Sequence, residues 1–209
     1  MAQKLKEELR EAIISAAREE FLEHGYEDAS MRRIAAKAGI TVGNIYRYFR
    51  NKEDLSQYIL ADTSKDIGGI LDGLRIENLS KQPRVFNMKT DPAQLSKMMD
   101  EFAEQVVYLY LNKREEFNII MNDEKQNRKI KNWFSQTFSS LIDQPYTVID
   151  FSKERNILAD AYASAAFAGM KQIFQEADDD EQTLFALLRL YLRRFINMVC
   201  EEIRNGNGY

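Results

Sequence analysis

The 209-residue chain contains one cysteine, Cys200, and one histidine, His24. A lone thiol excludes an internal disulfide framework and any thiolate cluster for zinc or iron-sulfur, so Cys200 reads as a packing residue. A lone imidazole excludes two-histidine zinc sites and the paired Glu-x-x-His motifs of di-iron bundles, and no metal or cofactor is expected. His24 stands directly before Gly25, a pair that suits a helix C-terminus. With three prolines and nine glycines there is no low-complexity tract. There is also no glycine-rich phosphate loop and no Gly-x-Ser-x-Gly, which argues against an enzyme. No run approaches the roughly 18 consecutive apolar residues of a membrane span. The segment Met1–Ile14 mixes charge and apolar residues at helical spacing, unlike a secretory signal. A soluble, cytoplasmic protein with no membrane partner is expected. Two-residue alternation and Asn-Gly or Asp-Gly hairpins are missing too, which argues against sheet.

Acids outnumber bases, 33 to 29, a balance that at first sight disfavours nucleic acid. The distribution reverses that impression. Between Ser30 and Lys52 stand six cations, Arg32, Arg33, Lys37, Arg47, Arg50 and Lys52, and no acid. A strongly basic window in an acidic remainder lets one face meet phosphate while the rest stays soluble.

Helical spacing runs through most of the chain and predicts an all-α fold of about nine helices. Leu5, Leu9, Ala12, Ile13, Ala16 and Phe21 recur at three and four residues, predicting a first helix from Lys4 to His24 that ends at Gly25. Ser30 suits the N-cap of a second helix with Met31, Ile34, Ala35 and Ala38 inward, stopped at Gly39. Thr41 is placed to cap a third with Ile45 and Phe49 inward. Asn51 is placed to cap a fourth, with Asp54 in its first turn. Arg75 to Thr90, which holds Pro83, lacks clear periodicity and reads as a loop or short helix. Asp91-Pro92 restarts a helix. Further helices are predicted near 113–122, 124–142, 153–176 and 180–204. Their breaks fall at Asp143-Gln144-Pro145 and at the acidic turn Ala177-Asp178-Asp179, and 205–209 reads as a frayed tail.

Two short helices joined at a glycine, the second opened by a hydroxyl residue, are the frame of a helix-turn-helix. Gly39 accepts the positive φ of the turn, and Thr41 with the first free N–H groups of the third helix faces a phosphate. Val42, Gly43 and Asn44 occupy the exposed first turn. There Asn44 can pair bidentately with adenine and Val42 can cover a thymine methyl. Gly43 is a poor helix former, which points to close backbone approach at that position. Tyr46, Arg47, Arg50 and Lys52 are better placed for phosphates. Arg33 and Lys37 read equally well as solvated charges.

The run from Gly25-Tyr26 through Ser30-Met31-Arg32-Arg33-Ile34-Ala35 to Ala38–Leu55 resembles the N-terminal domain of TetR-family regulators. Ile45-Tyr46-x-x-Phe49-x-Asn51-Lys52-x-x-Leu55 is similar to that family's signature. The resemblance covers about 50 residues. It implies an Ω-like all-α homodimer with a three-helix DNA domain, a variable ligand domain and an interface built from the last two long helices. It places DNA contacts at Arg32, Thr41, Val42, Gly43, Asn44, Tyr46 and Lys52, to which the charge reading adds Arg47. Residues 1–52 are then the DNA-binding domain and 53–204 the effector-binding and dimerisation domain. The partners are palindromic double-stranded operator DNA and an unidentified small-molecule effector, and the outcome is repression relieved by that effector.

In the C-terminal half, Met98, Phe102, Tyr108, Phe117, Met121, Trp133, Phe134 and Phe138 form Met and aromatic stripes that read either as core or as the lining of an apolar effector pocket. Small residues of the penultimate helix and apolar residues of the last read either as the closing of the monomer core or, as the resemblance implies, as a four-helix seam across a two-fold axis, with Tyr162, Ala165, Ala166, Gly169, Leu188, Tyr191, Leu192 and Phe195 as interface candidates. The rival reading is a helical adaptor with a vestigial helix-turn-helix.

Overall fold

A computed structural model describes residues 2–73, 92–142, 152–177 and 180–205. The expected loop at 75–90, the break at 143–145, most of the turn at 177–179 and the tail from 206 lie outside them. The described residues form nine helices and no strand: α1 (Ala2–Asp28), α2 (Met31–Lys37), α3 (Val42–Ile45), α4 (Lys52–Gly73), α5 (Pro92–Asn112), α6 (Arg114–Asn122), α7 (Glu124–Ile142), α8 (Ser152–Glu176) and α9 (Glu181–Asn205). No described helix is long and apolar enough to cross a membrane.

The chain divides into two compact units. The first comprises Met1–Asp66 with Lys113–Asn127, the second Ile67–Asn112 with Arg128–Tyr209. The division differs from a cut at residue 52 because α6 packs on α1. Phe117, Ile119, Ile120 and Met121 of α6 are buried, and Arg18 of α1 meets Glu116 at 2.6 Å.

In the first unit α1 buries Ile13, Ile14, Ala16, Ala17 and Phe21. Helical structure runs past the expected stop at His24 to Asp28, but with a kink at Gly25, whose φ of 72° and ψ of 168° are not helical. Ser30 caps α2 as expected, its hydroxyl accepting the Arg32 N–H at 3.3 Å. After α2, Gly39 takes φ 68°, its N–H donates to Ala36 O and the Ile40 N–H donates to Ala35 O. That pair of bonds is a Schellman turn, and it needs a residue that tolerates positive φ. Thr41 has the extended backbone of an N-cap, but its hydroxyl makes no capping bond. Asn51 does cap α4, accepting the Asp54 N–H at 2.8 Å, and Asp54 reciprocates by accepting the Arg50 N–H at 2.9 Å. Ile34, Ala35, Ile45, Phe49 and Leu55 close the small core.

In the second unit α9 packs on α5 and α8. Phe102 stacks on Trp133 with centroids 5.8 Å apart and meets the edge of Phe134 at 6.0 Å. The Trp133 indole N–H donates to Leu71 O at 2.9 Å, and the Tyr110 hydroxyl donates to Phe174 O at 3.3 Å. Asp100 of α5 accepts from Arg189 and Arg193 of α9 at 2.9 and 2.8 Å.

The packing places both candidate sets of the C-terminal half within the fold. Met98, Phe102, Trp133, Phe134 and Phe138 are buried in the second unit, Phe117 and Met121 are core residues of the first, and Tyr108 is 66% exposed. Burial periodicity marks a side chain as inward without saying which core it enters. Of the interface candidates, Ala166, Leu188 and Leu192 are enclosed in the second unit. Tyr162, Gly169, Tyr191 and Phe195 are half-buried and Ala165 is exposed. The Tyr191 hydroxyl donates to Ala165 O at 2.8 Å, and its ring leaves no room for a Cβ at Gly169, which would lie 2.3 Å away.

Candidate nucleic-acid interface

The segment α2, turn and α3 is held from beneath by Ile34 and Ala35 on one side and Ile45 and Phe49 on the other, all buried. α3 itself is a single turn. Bonds from the Tyr48 and Phe49 N–H groups to Ile45 O carry its curvature on to Phe49. On the outer surface Arg32, Thr41, Gly43, Tyr46 and Arg47 are exposed, and Val42 and Asn44 are half-buried. A Cβ on Gly43 would meet nothing nearer than the Thr41 hydroxyl at 3.9 Å. The fold therefore does not require glycine there.

The six cations of the basic window have unequal fates. Arg33 donates to Glu20 Oε1 at 2.6 Å and to Asp28 O at 2.5 Å. Lys37 meets Glu23 at 2.6 Å, and that bond raises its pKa. Arg50 meets Asp54 at 2.9 Å, which raises the guanidinium's pKa and lowers the carboxyl's. Lys52, expected on phosphate, directs its ammonium to the carbonyls of Tyr26, Glu27 and Ala29 at 2.6, 2.9 and 3.1 Å, so its three N–H donors are in use. It also lies 4.6 Å from the Tyr26 ring centroid. Only Arg32 and Arg47 of the six make no ion pair or side-chain hydrogen bond among the described residues.

Beneath this surface lies a polar cluster that the sequence reading did not single out. Glu20 is fully enclosed, and its Oε1 accepts from the Ser30 N–H at 2.9 Å as well as from Arg33. Burial raises its pKa, but the Ser30 and Arg33 bonds outweigh that and leave it below the ordinary value. His24 sits with Nδ1 3.6 Å from Glu20 Oε2 and 3.7 Å from Glu23, and Lys37 supplies the countercharge. The i, i+3, i+4 spacing of Glu20, Glu23 and His24 was the available signal. Nearby, burial and the Glu53 carboxylate push the Tyr26 phenol up to about 12. Lys125 meets Glu53 at 2.6 Å and lowers its pKa.

Residues 13–59 match the family described as bacterial regulatory proteins, tetR family. Over 55 residues the chain is 46% identical to the HTH-type transcriptional regulator SrpR of Pseudomonas putida, a match that spans 26% of each chain. Over 53 residues it is 43% identical to an HTH-type transcriptional regulator of Staphylococcus aureus, spanning 25% of this chain and 29% of that one. The chain thus aligns with little more than a quarter of these relatives. The whole fold is similar to a TetR-like regulator from Rhodococcus sp. RHA1, with a TM-score of 0.55 and 15% identity over 90% of this chain and 96% of that one. It is also similar to NalD, the secondary repressor of the MexAB-OprM multidrug efflux pump in Pseudomonas aeruginosa, with a TM-score of 0.50 and 22% identity over the same shares. Residues 13–59 thus form a helix-turn-helix domain of the kind described for the tetR family of bacterial regulatory proteins.

Proposed function

We propose that this protein is a sequence-specific DNA-binding transcriptional regulator that acts as a homodimer on palindromic operator DNA. The observation that carries the reading is the exposed surface of the α2–turn–α3 segment, where Gly43 stands without any demand from its described neighbours and Arg32 and Arg47 stand without acid partners among the described residues. Val42, Gly43 and Asn44 read base edges, and Arg32, Thr41, Tyr46 and Arg47 hold phosphates. Lys52 acts indirectly, by fixing the end of α1 against the start of α4. No enzymatic activity is assigned.

Dimerisation is assigned to the outward faces of α8 and α9. Leu187, Leu190 and Met198 of α9 and Ile157 and Leu158 of α8 are exposed apolar residues, and on α9 they share a face with half-buried Tyr191 and Phe195. Repression is the commoner behaviour in the family and is the outcome proposed here. A small-molecule effector would release the operator by favouring a dimer whose recognition helices no longer match the spacing of about 34 Å between successive major grooves.

Selection of bound sequences from a random duplex library at about 150 mM salt, a concentration at which phosphate contacts still count, tests the reading. Enrichment of a palindrome by the wild type, lost by Asn44→Ala and Tyr46→Ala, is expected. Absence of any enriched sequence, with retention unchanged in both variants, favours the adaptor reading instead.

A further inference from the structure

Beside the base-reading turn lies a cleft of about 530 Å³, walled by Gln3, Lys6, Glu7 and Arg10 of α1 and by Arg47 and Tyr48 just after α3. The α1 residues recur at three and four positions and so share one helix face. Three cations face one acid. None of Lys6, Arg10 and Arg47 makes an ion pair among the described residues, whereas Arg33, Lys37 and Arg50 of the same unit are each held by a carboxylate. Arg10 is held by rings instead. Its guanidinium carbon lies 4.4 Å from the Tyr58 centroid and 6.0 Å from that of Phe49. A guanidinium laid against aromatic faces keeps its N–H edge for an acceptor in its own plane, the geometry that suits a phosphate oxygen pair. The walls Gln3, Lys6, Glu7 and Arg47 are exposed, so the cleft is open, as it must be to admit a phosphate that belongs to a polymer.

We propose that this cleft seats a backbone phosphate of duplex DNA, making the first turns of α1 a second DNA-contacting element. Lys6, Arg10 and Arg47 supply the charge, and Glu7 moderates it. The proposal rests on the DNA-binding reading above and adds to it residues that lie outside the helix-turn-helix. Such contacts position the protein on the duplex without reading sequence.

The test is the affinity of the full chain for the selected duplex and for a scrambled duplex, each across a salt series, in the wild type, Lys6→Ala, Arg10→Gln and Glu7→Gln. Lys6 is exposed and its variant keeps the fold; circular dichroism checks Arg10→Gln, which loses its place on Tyr58. Lys6→Ala and Arg10→Gln are expected to weaken both duplexes by a similar factor, roughly fivefold, and to lower the slope of log affinity against log salt by about 1 each. Glu7→Gln should tighten both. Unchanged affinities and slopes in all three, with Asn44→Ala still losing sequence preference, overturn the cleft and leave the DNA-binding reading standing. A wild type with no duplex affinity overturns both. Inorganic phosphate binding that Lys6→Ala abolishes, with duplex binding unaffected, makes the cleft a free-anion site and overturns the proposal.

Discussion

The Arg33 guanidinium meets the Glu20 carboxylate at 2.6 Å, joining α2 to the enclosed side of α1. Glu20→Gln keeps the shape and removes the charge, and is expected to cost about 1–3 kcal/mol, the usual penalty for disrupting a buried polar pair. Thermal or urea unfolding measures it. Because the folded carboxyl's pKa lies below its ordinary value of 4.5, its contribution is fully present above that pH and fades as pH falls through the folded value. The difference between wild type and Glu20→Gln should therefore shrink on acidification below about pH 4.5.

Lys52 should behave as a structural residue. Lys52→Met strands the carbonyls of Tyr26, Glu27 and Ala29, which its ammonium now reaches. The expected loss is about 1–3 kcal/mol of stability, measured by denaturant unfolding. A phosphate-contacting lysine would instead leave stability unchanged and lower the salt slope of DNA binding.

Gly39 and Gly43 should respond to alanine in opposite ways. At Gly39 a Cβ meets no neighbour, so the cost comes from the positive φ alone, about 1–2 kcal/mol. At Gly43 φ is not positive, and alanine should raise thermal stability by up to about 1 kcal/mol through helix propensity while weakening operator binding. A Gly43→Ala variant that binds the operator as the wild type does would remove the close-approach argument.

On α9, Leu187 and Met198 face outward and Leu188 is fully buried. Leu187→Glu with Met198→Glu should give a monomer in sedimentation at micromolar concentration, with helical content retained. Leu188→Ala should destabilise the fold by about 2–5 kcal/mol. A double variant that sediments as the wild type does would place the interface elsewhere.

The helices were legible because their punctuation is local. Ser30 caps α2, Asn51 caps α4, Gly39 turns the chain, and Glu124–Ile142 is α7 to the residue. What stayed hidden depends on residues distant in sequence. Charge counting gave the basic window six cations, but Arg33 and Lys37 are held by acids on α1, Arg50 by Asp54, and Lys52 by carbonyls some 25 positions back. Lys6 and Arg10 escaped notice because α1 otherwise reads as a mixed-charge helix; the fold brings that face to Arg47. Likewise, periodicity marked Phe117 and Leu188 as inward without naming the core that each would enter.

The most direct test of the central claim is the affinity of the purified protein for its selected palindrome, followed by fluorescence anisotropy from about 50 to 200 mM salt, a range over which several phosphate contacts change affinity by orders of magnitude. A steep fall with salt, together with a clear preference over a scrambled duplex that Asn44→Ala abolishes, is the predicted result. A flat salt dependence with equal affinity for both duplexes would contradict it, and would mean that the helix-turn-helix does not read DNA.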